Sequence, residues 1–367
     1  MSWSHYNPVA VHSGPGIRKK LPGVLPGGKA LLITTEGMVR RGTFQALLDL
    51  CPDVVWSAQT VPSNPDLDML DTIAEWHRQA GVDAVVALGG GSAMDSAKAL
   101  AAILPMRPTE DTPPLSRWLR DGEARGNDPV LPVICLPTTA GTGAEVTPFG
   151  TIWDTAHHKK RSVAHPALFP QTALLDPELT LSLPWRETLT GAMDIISHCL
   201  ETLWNRTATP VSLALAGQAL PMVMDALPRA QVEPLDIAPR SALQEASLMA
   251  GIAISQSRTA LAHAVSYPVT LGFGVPHGLA CAFTLPAIAA LVSRRNGWPG
   301  EHYRNVGERA AAFVRECGLK AVLREYCVAK DVCALVDDML DPARPDTLTV
   351  EAGRDDVLEI LRASLEG

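Results

Sequence analysis

The chain has 367 residues, 47% hydrophobic and 19% charged, and this size and balance predict two globular domains and exclude an intrinsically disordered protein. A formal net charge of −8, with one dense basic patch at residues 157–161, argues against a nucleic-acid-binding protein, because phosphate affinity depends on clustered lysine and arginine. The seven cysteines are scattered without a CxxC pair, so neither a disulfide framework nor a cysteine zinc site is expected.

The N-terminal segment and the apolar runs indicate a soluble, cytoplasmic protein with no membrane partner. Residues 1–16 lack the basic start and apolar core of a signal peptide. The longest apolar runs are interrupted by glycine or proline, or are shorter than the ~18 residues that a membrane span requires.

The N-terminal half alternates short apolar runs with an amphipathic stretch. The run 64–81 places Leu67, Leu70 and Ile73 on one face and opens with Asn64 and Pro65, which predicts a capped helix. Strands that alternate with helices predict a parallel sheet covered on both faces, in an α/β domain over residues 1–183. The predicted buried strands are 30–35, 54–59, 84–91 and 133–139.

The chain changes character at about residue 184. The runs 183–205, 212–230 and 240–264 carry helical periodicity and are punctuated by proline. An all-helical domain is therefore expected over residues 184–367.

Two glycine-rich loops follow predicted strands. The first, "ALGGGSAMDSAKAL", leads from three glycines into a helix whose free N–H groups attract phosphate, although the same pattern also fits a plain tight turn. The second, "LPTTAGTGAEVT", offers the hydroxyls of Thr138, Thr139 and Thr142 around two more glycines. Two such loops at the carboxyl ends of neighbouring strands fit a dinucleotide.

Four side chains form a candidate metal site. Asp194 and His198 are four residues apart, so they share one face of a helix, a spacing that also suits a simple hydrogen bond. His263, on a predicted helix, and His277, in the turn "VPHG", complete a set of one carboxylate and three imidazoles. This set suits Fe(II) or Zn(II).

The chain resembles the iron-containing (group III) alcohol dehydrogenase family over nearly its whole length. The motifs "GGGSAMDSAK", "PTTAGTGAEVT", "DPELTLSLP", "GAMDIISHCLE" and "PHG" occur in the order and at the spacing typical of that family. The resemblance implies a Rossmann-like N-terminal domain, a helical C-terminal domain, and a metal with a nicotinamide cofactor in the cleft between them. It also implies a homodimer.

The resemblance assigns residues to the metal and to the nicotinamide cofactor. It implies that Asp194, His198, His263 and His277 are the four metal ligands. The residues that it places at the diphosphate and nicotinamide, or facing the dinucleotide, are Gly90, Gly91, Ser92, Asp95, Thr138, Thr139, Thr142 and Lys160.

One departure from the family concerns the choice of cofactor. Many members follow the first strand with an aspartate that binds the adenosine ribose, and this chain has Thr35 there. Loss of that carboxylate permits NADPH beside NADH. Arg40 and Arg41 are candidates to hold the 2′-phosphate and equally fit solvated helix positions, while Glu36 opposes NADPH.

Two further departures lie near the metal ligands. Tyr267 stands where the family commonly has a histidine thought to assist proton transfer, and it fits either a substrate-binding phenol or a packing residue. Arg258 stands where relatives usually carry a small residue. A guanidinium there suits an anionic substrate, or alternatively an internal ion pair with Glu245.

The variant around "ISQSRTALAH" and "FGVPHGLACAFTLP" resembles the branch of the family that reduces phosphonoacetaldehyde to 2-hydroxyethylphosphonate. The leading hypothesis is therefore a metal-dependent NAD(P)H aldehyde reductase in which the metal polarises a small anionic aldehyde, Arg258 holds the anion, and Tyr267, cofactor hydroxyls or water deliver the proton. The alternatives are an alcohol or lactaldehyde-type dehydrogenase acting on neutral aldehydes, a dehydroquinate-synthase-like lyase or cyclase, and a non-enzymatic binding module.

Overall fold

The computed structural model describes residues 2–106, 112–123, 125–126, 128–157, 159–340 and 347–365, so His158 of the basic patch lies outside the described residues. The chain forms two compact units. The first comprises Asn7–Thr139 and Ala144–Ser182, and the second comprises Leu183–Gly367 with Met1–Tyr6 and Ala140–Gly143.

The first unit contains a six-stranded, wholly parallel sheet in the order β1-β8-β5-β4-β2-β3, and β6 and β7 form a separate antiparallel pair. Every residue of β4 and β5 is buried, as expected for the centre of a parallel sheet with both faces covered. The strands are β1 Ala10–Ser13, β2 Lys29–Thr34, β3 Val55–Thr60, β4 Ala84–Gly89, β5 Val133–Pro137, β6 Phe149–Asp154, β7 Lys159–Ala164 and β8 Thr172–Leu175.

Helices cover both faces of this sheet. Because side chains alternate along a strand, Leu31 and Ile33 of β2 join one core, while Ala30 and Leu32 join the core on the opposite face. The helices of this unit are α1 Leu21–Val24, α2 Glu36–Arg40, α3 Thr43–Leu48, α4 Leu67–Arg78, α5 Gly91–Ile103 and α6 Pro114–Leu119.

The predicted α/β class is confirmed, and the four predicted strands correspond to β2, β3, β4 and β5. The cap of α4 differs from the prediction, because the side chain of Asp66, rather than Asn64, accepts the N–H groups of Asp68 and Met69. The pattern did not reveal β1 and β8, which have four residues each and contain too few positions to establish a period.

The second unit is helical, as predicted. Its helix α8, Pro210–Val232, contains the predicted run 212–230 and continues through Pro221 and Pro228. The helices are α7 Trp185–Leu203, α8 Pro210–Val232, α9 Ile237–Ser257, α10 Leu261–Phe273, α11 His277–Ala282, α12 Leu285–Arg294, α13 Glu301–Glu316, α14 Leu319–Leu323, α15 Ala329–Ala334, α16 Val336–Met339 and α17 Arg354–Leu365.

The run 240–264 is not one helix, because the chain breaks between α9 and α10. Arg258 follows the last residue of α9 with φ 60° and ψ 178°. This backbone region is essentially restricted to glycine, so an arginine there is strained. The break separates the long helix α9 from the short segment that leads to His263.

Two stretches, Pro210–Val232 and His277–Arg294, are long and apolar enough to cross a membrane by length and composition alone, although each is interrupted by glycine or proline. They contribute Leu220 and Leu285 to the buried core of the helical unit. Core helices of soluble proteins pass the same test, so these two stretches are weak evidence for a membrane span.

Close packing of α11 against α7 depends on Gly278. A Cβ atom at this position would lie 2.0 Å from the carbonyl oxygen of Thr190 and 3.1 Å from the Cβ of Asp194. The first contact is with backbone, which cannot move aside as a flexible side chain can. Gly278 therefore allows the turn that carries His277 to approach the helix that carries Asp194.

Replacing Gly278 with alanine should lower the free energy of unfolding by about 1–3 kcal/mol, the usual cost of overpacking a core. Chemical denaturation of the metal-free protein measures this change. The matched control is Gly272→Ala in α10, where the added Cβ meets only Leu335 at 3.7 Å and stability should be unchanged or slightly higher. Equal stability of both variants would contradict the proposed packing.

Candidate functional site

Helix α7 carries the first two predicted metal ligands on its buried face. Asp194 and His198 lie one turn apart, and Nε2 of His198 is 3.5 Å from Oδ1 of Asp194. Both side chains are buried. The spacing that sequence reasoning used thus brings a carboxylate oxygen and an imidazole nitrogen together inside the helical unit.

Two other helices bring the remaining histidines to the same place. Nε2 of His263, on α10, lies 3.7 Å from the same Asp194 oxygen, and its ring stacks on that of His198 at 4.9 Å. His277, the first residue of α11, has its ring centroid 5.3 Å from that of His263. The structure therefore brings the four predicted ligands together: His198 and His263 face Oδ1 of Asp194, and His277 lies beside His263.

The polar atoms of this cluster fit a divalent cation. Oδ1 of Asp194 and Nε2 of His263 are buried, and neither has a hydrogen-bond partner in the described part of the chain. Separations of 3.5 and 3.7 Å are too long for hydrogen bonds, yet they are close to the roughly 3–3.5 Å between two ligands that each bind one ion at about 2.1 Å. A buried, unpartnered carboxylate oxygen facing imidazoles is expensive without a cation.

The charge state of Asp194 suits that role. Burial by itself would raise the pKa of Asp194, but His198, His263 and His277 hold it well below its usual range. The carboxylate is therefore ionised at neutral pH and needs no proton loss before it binds a metal.

Glu201 is a member of the site that sequence reasoning missed. Its buried carboxylate accepts hydrogen bonds from Nδ1 of His263 at 2.6 Å and from the backbone N–H of His263 at 3.1 Å. Burial would raise the pKa of Glu201, but the contact with His263 holds it below its usual value. Because Nδ1 of His263 is engaged by Glu201, Nε2 is directed at Asp194. The signal was its position three residues after His198 in "GAMDIISHCLE".

Cys281 is a second member that was missed. Its sulfur belongs to a group in which the ligand atoms of Asp194, His263, His277 and Cys281 all lie within 4.8 Å of one another. The search for CxxC pairs excluded it, although it lies four residues after His277 and therefore on the same helix face.

Tyr267 lies beside the cluster, whereas Arg258 is exposed. The Tyr267 ring is parallel to that of His277, with 6.2 Å between centroids. Arg258 forms no ion pair with Glu245 or with another acidic residue in the described ranges, so the internal ion pair considered from sequence is not observed there.

In the α/β unit, the predicted nucleotide residues gather at one sheet edge. The adjacent parallel strands β2, β4 and β5 end just before Thr35, Gly90 and Thr138 respectively. Gly90 is the N-cap of α5, with Gly91 and Ser92 in its first turn. A Cβ atom at Gly90 would lie 3.0 Å from the hydroxyl of Thr139. The N–H groups that begin α5 thus lie beside the Thr139 hydroxyl, and their role in binding phosphate stays a prediction.

Asp95 lies one turn further along α5, close to a buried lysine. Its carboxylate accepts the N–H of Thr151 at 2.9 Å and lies 3.9 Å from Nζ of the fully buried Lys98. Burial raises the pKa of Asp95, whereas Lys98 and Lys160 oppose that rise. Burial lowers the pKa of Lys98. The influence of Lys160 on Asp95 indicates that the two side chains lie near each other, and their assignment to one cofactor stays a prediction.

Thr142 belongs to the helical unit, apart from the other cofactor candidates. The N–H of Gly141 donates to the hydroxyl of Ser247 at 2.8 Å, and a Cβ atom at Gly143 would lie 2.3 Å from Cα of Gly251. Gly143 thus permits close contact with α9, and a Cβ atom at Gly141 would lie 2.9 Å from Cα of Gly191 on α7.

Family models match both parts of the chain. The model described as iron-containing alcohol dehydrogenase matches residues 8–177, and that described as Fe-containing alcohol dehydrogenase family, C-terminal, matches residues 188–365.

Individual proteins agree with the family models. The chain is 39% identical to a phosphonoacetaldehyde reductase of Streptomyces viridochromogenes over 65% of its own length and 60% of that protein, so it spans less than two thirds of that relative. It is 33% identical to an NAD-dependent methanol dehydrogenase of Bacillus methanolicus, with 78% of each chain covered. The crystal structure of sulfoacetaldehyde reductase from Bifidobacterium kashiwanohense in complex with NAD+ superimposes with a TM-score of 0.88, 31% identity, and 99% and 98% coverage of the two chains.

Replacing Glu201 with glutamine should weaken metal binding about 10- to 100-fold, the usual effect of removing the partner that orients a ligating histidine. The amide keeps the size of the side chain but loses the charge that Nδ1 of His263 faces. Competition with a chromophoric chelator for Zn(II) measures the affinity. The control is Glu187→Gln, an exposed residue in the first turn of the same helix, which should bind like the wild type. Unchanged affinity in Glu201→Gln would contradict the orienting role.

Proposed function

The chain belongs to the iron-containing alcohol dehydrogenase family, and from this premise we propose that it is a metal-dependent NAD(P)H aldehyde reductase that converts phosphonoacetaldehyde to 2-hydroxyethylphosphonate. The observation that carries the reductase assignment is Oδ1 of Asp194, buried without a hydrogen-bond partner in the described ranges and facing the imidazoles of His198 and His263. Such a centre has the character of a cation site, which the binding-module alternative would leave without a purpose.

The proposed metal ligands are Asp194, His198, His263 and His277. A divalent ion held there supplies Lewis-acid stabilisation of the negative charge that grows on a carbonyl oxygen during hydride transfer. The protein groups contribute orientation: Glu201 holds the His263 ring, and the Tyr267 ring lies parallel to that of His277. Tyr267 is proposed to border the substrate and to offer its hydroxyl to the substrate oxygen.

The proposed hydride source is a reduced nicotinamide dinucleotide held by the sheet edge at Thr35, Gly90 and Thr138. The family relative of known structure that was crystallised with NAD+ supports this class of cofactor. In this chain, Arg40 pairs with Glu36 at 3.5 Å, and both side chains are largely exposed. Arg40 can therefore exchange this weak surface pair for a 2′-phosphate, which supports the use of NADPH as well as NADH.

Arg258 supports an anionic substrate. The residue is exposed, lacks an acidic partner in the described ranges, and has a backbone conformation that glycine would adopt without strain. Backbone strain of this kind costs about 1–3 kcal/mol and persists at functional positions. Its guanidinium can form paired hydrogen bonds with a phosphonate. The match to a phosphonoacetaldehyde reductase favours the phosphonate, and the match to a sulfoacetaldehyde reductase makes a sulfonate the second candidate.

Variants of Arg258 test the proposed anion contact. Arg258→Ala and Arg258→Gly should both lower kcat/KM for phosphonoacetaldehyde roughly 10- to 100-fold, the equivalent of one charge-assisted hydrogen-bond pair. Steady-state kinetics on the iron-loaded enzymes measures this change. With propanal, a neutral aldehyde, kcat/KM of both variants should stay within about twofold of the wild-type value. Sulfoacetaldehyde, assayed beside phosphonoacetaldehyde, decides between the two anions by the higher kcat/KM. Equal losses with propanal would contradict the contact.

The same two variants separate strain from charge. The free energy of unfolding of Arg258→Gly should exceed that of Arg258→Ala by about 1 kcal/mol, because alanine retains the Cβ atom that makes φ 60° unfavourable. Chemical denaturation of both variants measures the difference. If the two variants are equally stable, the backbone at this position is not strained in solution.

Replacing Thr35 with aspartate should shift the cofactor preference toward NADH. The added carboxylate would face the 2′-phosphate of NADPH, so kcat/KM with NADPH should fall roughly tenfold or more while the value with NADH is retained or rises. Rates with both reduced cofactors at one aldehyde concentration give the ratio. A parallel loss with both cofactors would show that Thr35 does not lie at the ribose.

A further inference from the structure

The thiol of Cys281 lies inside the ligand cluster. Cys281 and His277 are one turn apart on α11, and Sγ is 3.6 Å from Nε2 and 3.8 Å from Nδ1 of His277. Cys281 is fully buried. Its sulfur therefore already lies within reach of an ion bound at this cluster.

The cluster offers two different fourth ligands. Asp194, His263 and His277 form one group with Cys281, in which all ligand atoms lie within 4.8 Å of one another. His198 lies outside that group of four, with its Nε2 at 3.5 Å from Oδ1 of Asp194. Asp194, His263 and His277 thus have two neighbours that could serve as a further ligand, the imidazole of His198 and the thiol of Cys281.

Two buried polar atoms of this group lack a hydrogen-bond partner in the described part of the chain, as expected at a metal site. Oδ1 of Asp194 and Nε2 of His263 are buried and lack hydrogen-bond partners in the described ranges. Cys281 is thus grouped with two atoms that already require a cation, unlike Cys199, which packs in the apolar core next to His198.

We propose that Cys281 binds, through its sulfur, the divalent ion that Asp194, His263 and His277 hold. On binding, the S–H proton is released to solvent and the thiolate sulfur forms the bond to the ion, with no change in oxidation state. A soft thiolate beside one carboxylate and imidazoles favours Zn(II) and Co(II) over Fe(II). This inference rests on the proposed metal site, and it adds a ligand and a metal preference to it.

Cobalt spectroscopy tests the inference on the full chain. Metal-free protein, titrated with Co(II) under argon, should develop the near-ultraviolet band of sulfur-to-cobalt charge transfer. The band should be absent in Cys281→Ala and in Cys281→Ser, although six other cysteines remain in each variant. Cys199→Ala, which removes a buried thiol and keeps Cys281, should retain the band in full. A band of equal strength in Cys281→Ala and the wild type overturns the inference.

Affinity gives the second readout. Competition with a chelator should show that Cys281→Ala binds Zn(II) roughly tenfold or more weakly than the wild type, with a smaller change for Fe(II). An unchanged ratio of Zn(II) to Fe(II) affinity would mean that the thiol only packs against His277. Far-ultraviolet circular dichroism of the metal-free variants verifies folding, and Cys281→Ser replaces Cys281→Ala in the comparison if the latter is unfolded.

One further variant separates this inference from the proposed function. Asp194→Ala should abolish tight Co(II) binding, because it removes the carboxylate that the imidazoles face. If Asp194→Ala binds Co(II) like the wild type, the proposed metal site itself is wrong. If Asp194→Ala loses Co(II) while the wild-type complex lacks a charge-transfer band, the site stands and only the role of Cys281 fails.

Discussion

The helical unit is organised around two carboxylates that are buried on one helix. Glu201 receives two hydrogen bonds from His263, so its charge is satisfied by protein. Oδ1 of Asp194, two turns earlier on α7, has imidazoles at 3.5 and 3.7 Å but no donor at hydrogen-bond distance in the described ranges. Leaving such a charge buried and uncompensated costs several kcal/mol. The contrast between the two carboxylates is that protein donors satisfy Glu201, whereas Oδ1 of Asp194 has no such donor in the described ranges and is proposed to bind the metal.

Small residues bring the ligand-bearing segments close enough to share a centre. Gly278 lets α11 approach α7, and a Cβ atom at Gly191 would lie 2.0 Å from the carbonyl oxygen of Ala140. The second glycine loop is therefore held against α7 and α9, which explains why Ala140–Gly143 belongs to the helical unit while the strand before it belongs to the sheet. Gly141 and Gly143, which the sequence analysis considered as part of a phosphate-binding loop, thus also allow close contact between backbone segments.

The parts of the molecule that follow a repeating pattern or a fixed spacing were predictable from sequence. Buried strands read as apolar runs, and the positions of Asp194 and His198 imply a shared helix face. Cys281 and Glu201 were missed because their spacing from a histidine, four and three residues, is common in helices and gains meaning only when the fold brings the residue to a partner. The break at Arg258 was missed because helical periodicity in side chains continues across it, whereas the interruption is a property of the backbone.

Arg258 shows how a break in a helix can serve a site. Its carbonyl accepts a hydrogen bond from Asn205, and the neighbouring Ser257 hydroxyl bonds to Thr202, so the segment after α9 is anchored to the end of the ligand-bearing helix α7. The same segment leads within five residues to His263, whose N–H bonds to Glu201. These anchors hold the strained backbone in place, because relaxing Arg258 would disturb contacts on which the position of His263 depends. The surrounding contacts therefore maintain the backbone conformation of Arg258, although glycine would adopt it with less strain. What glycine could not supply is the exposed guanidinium.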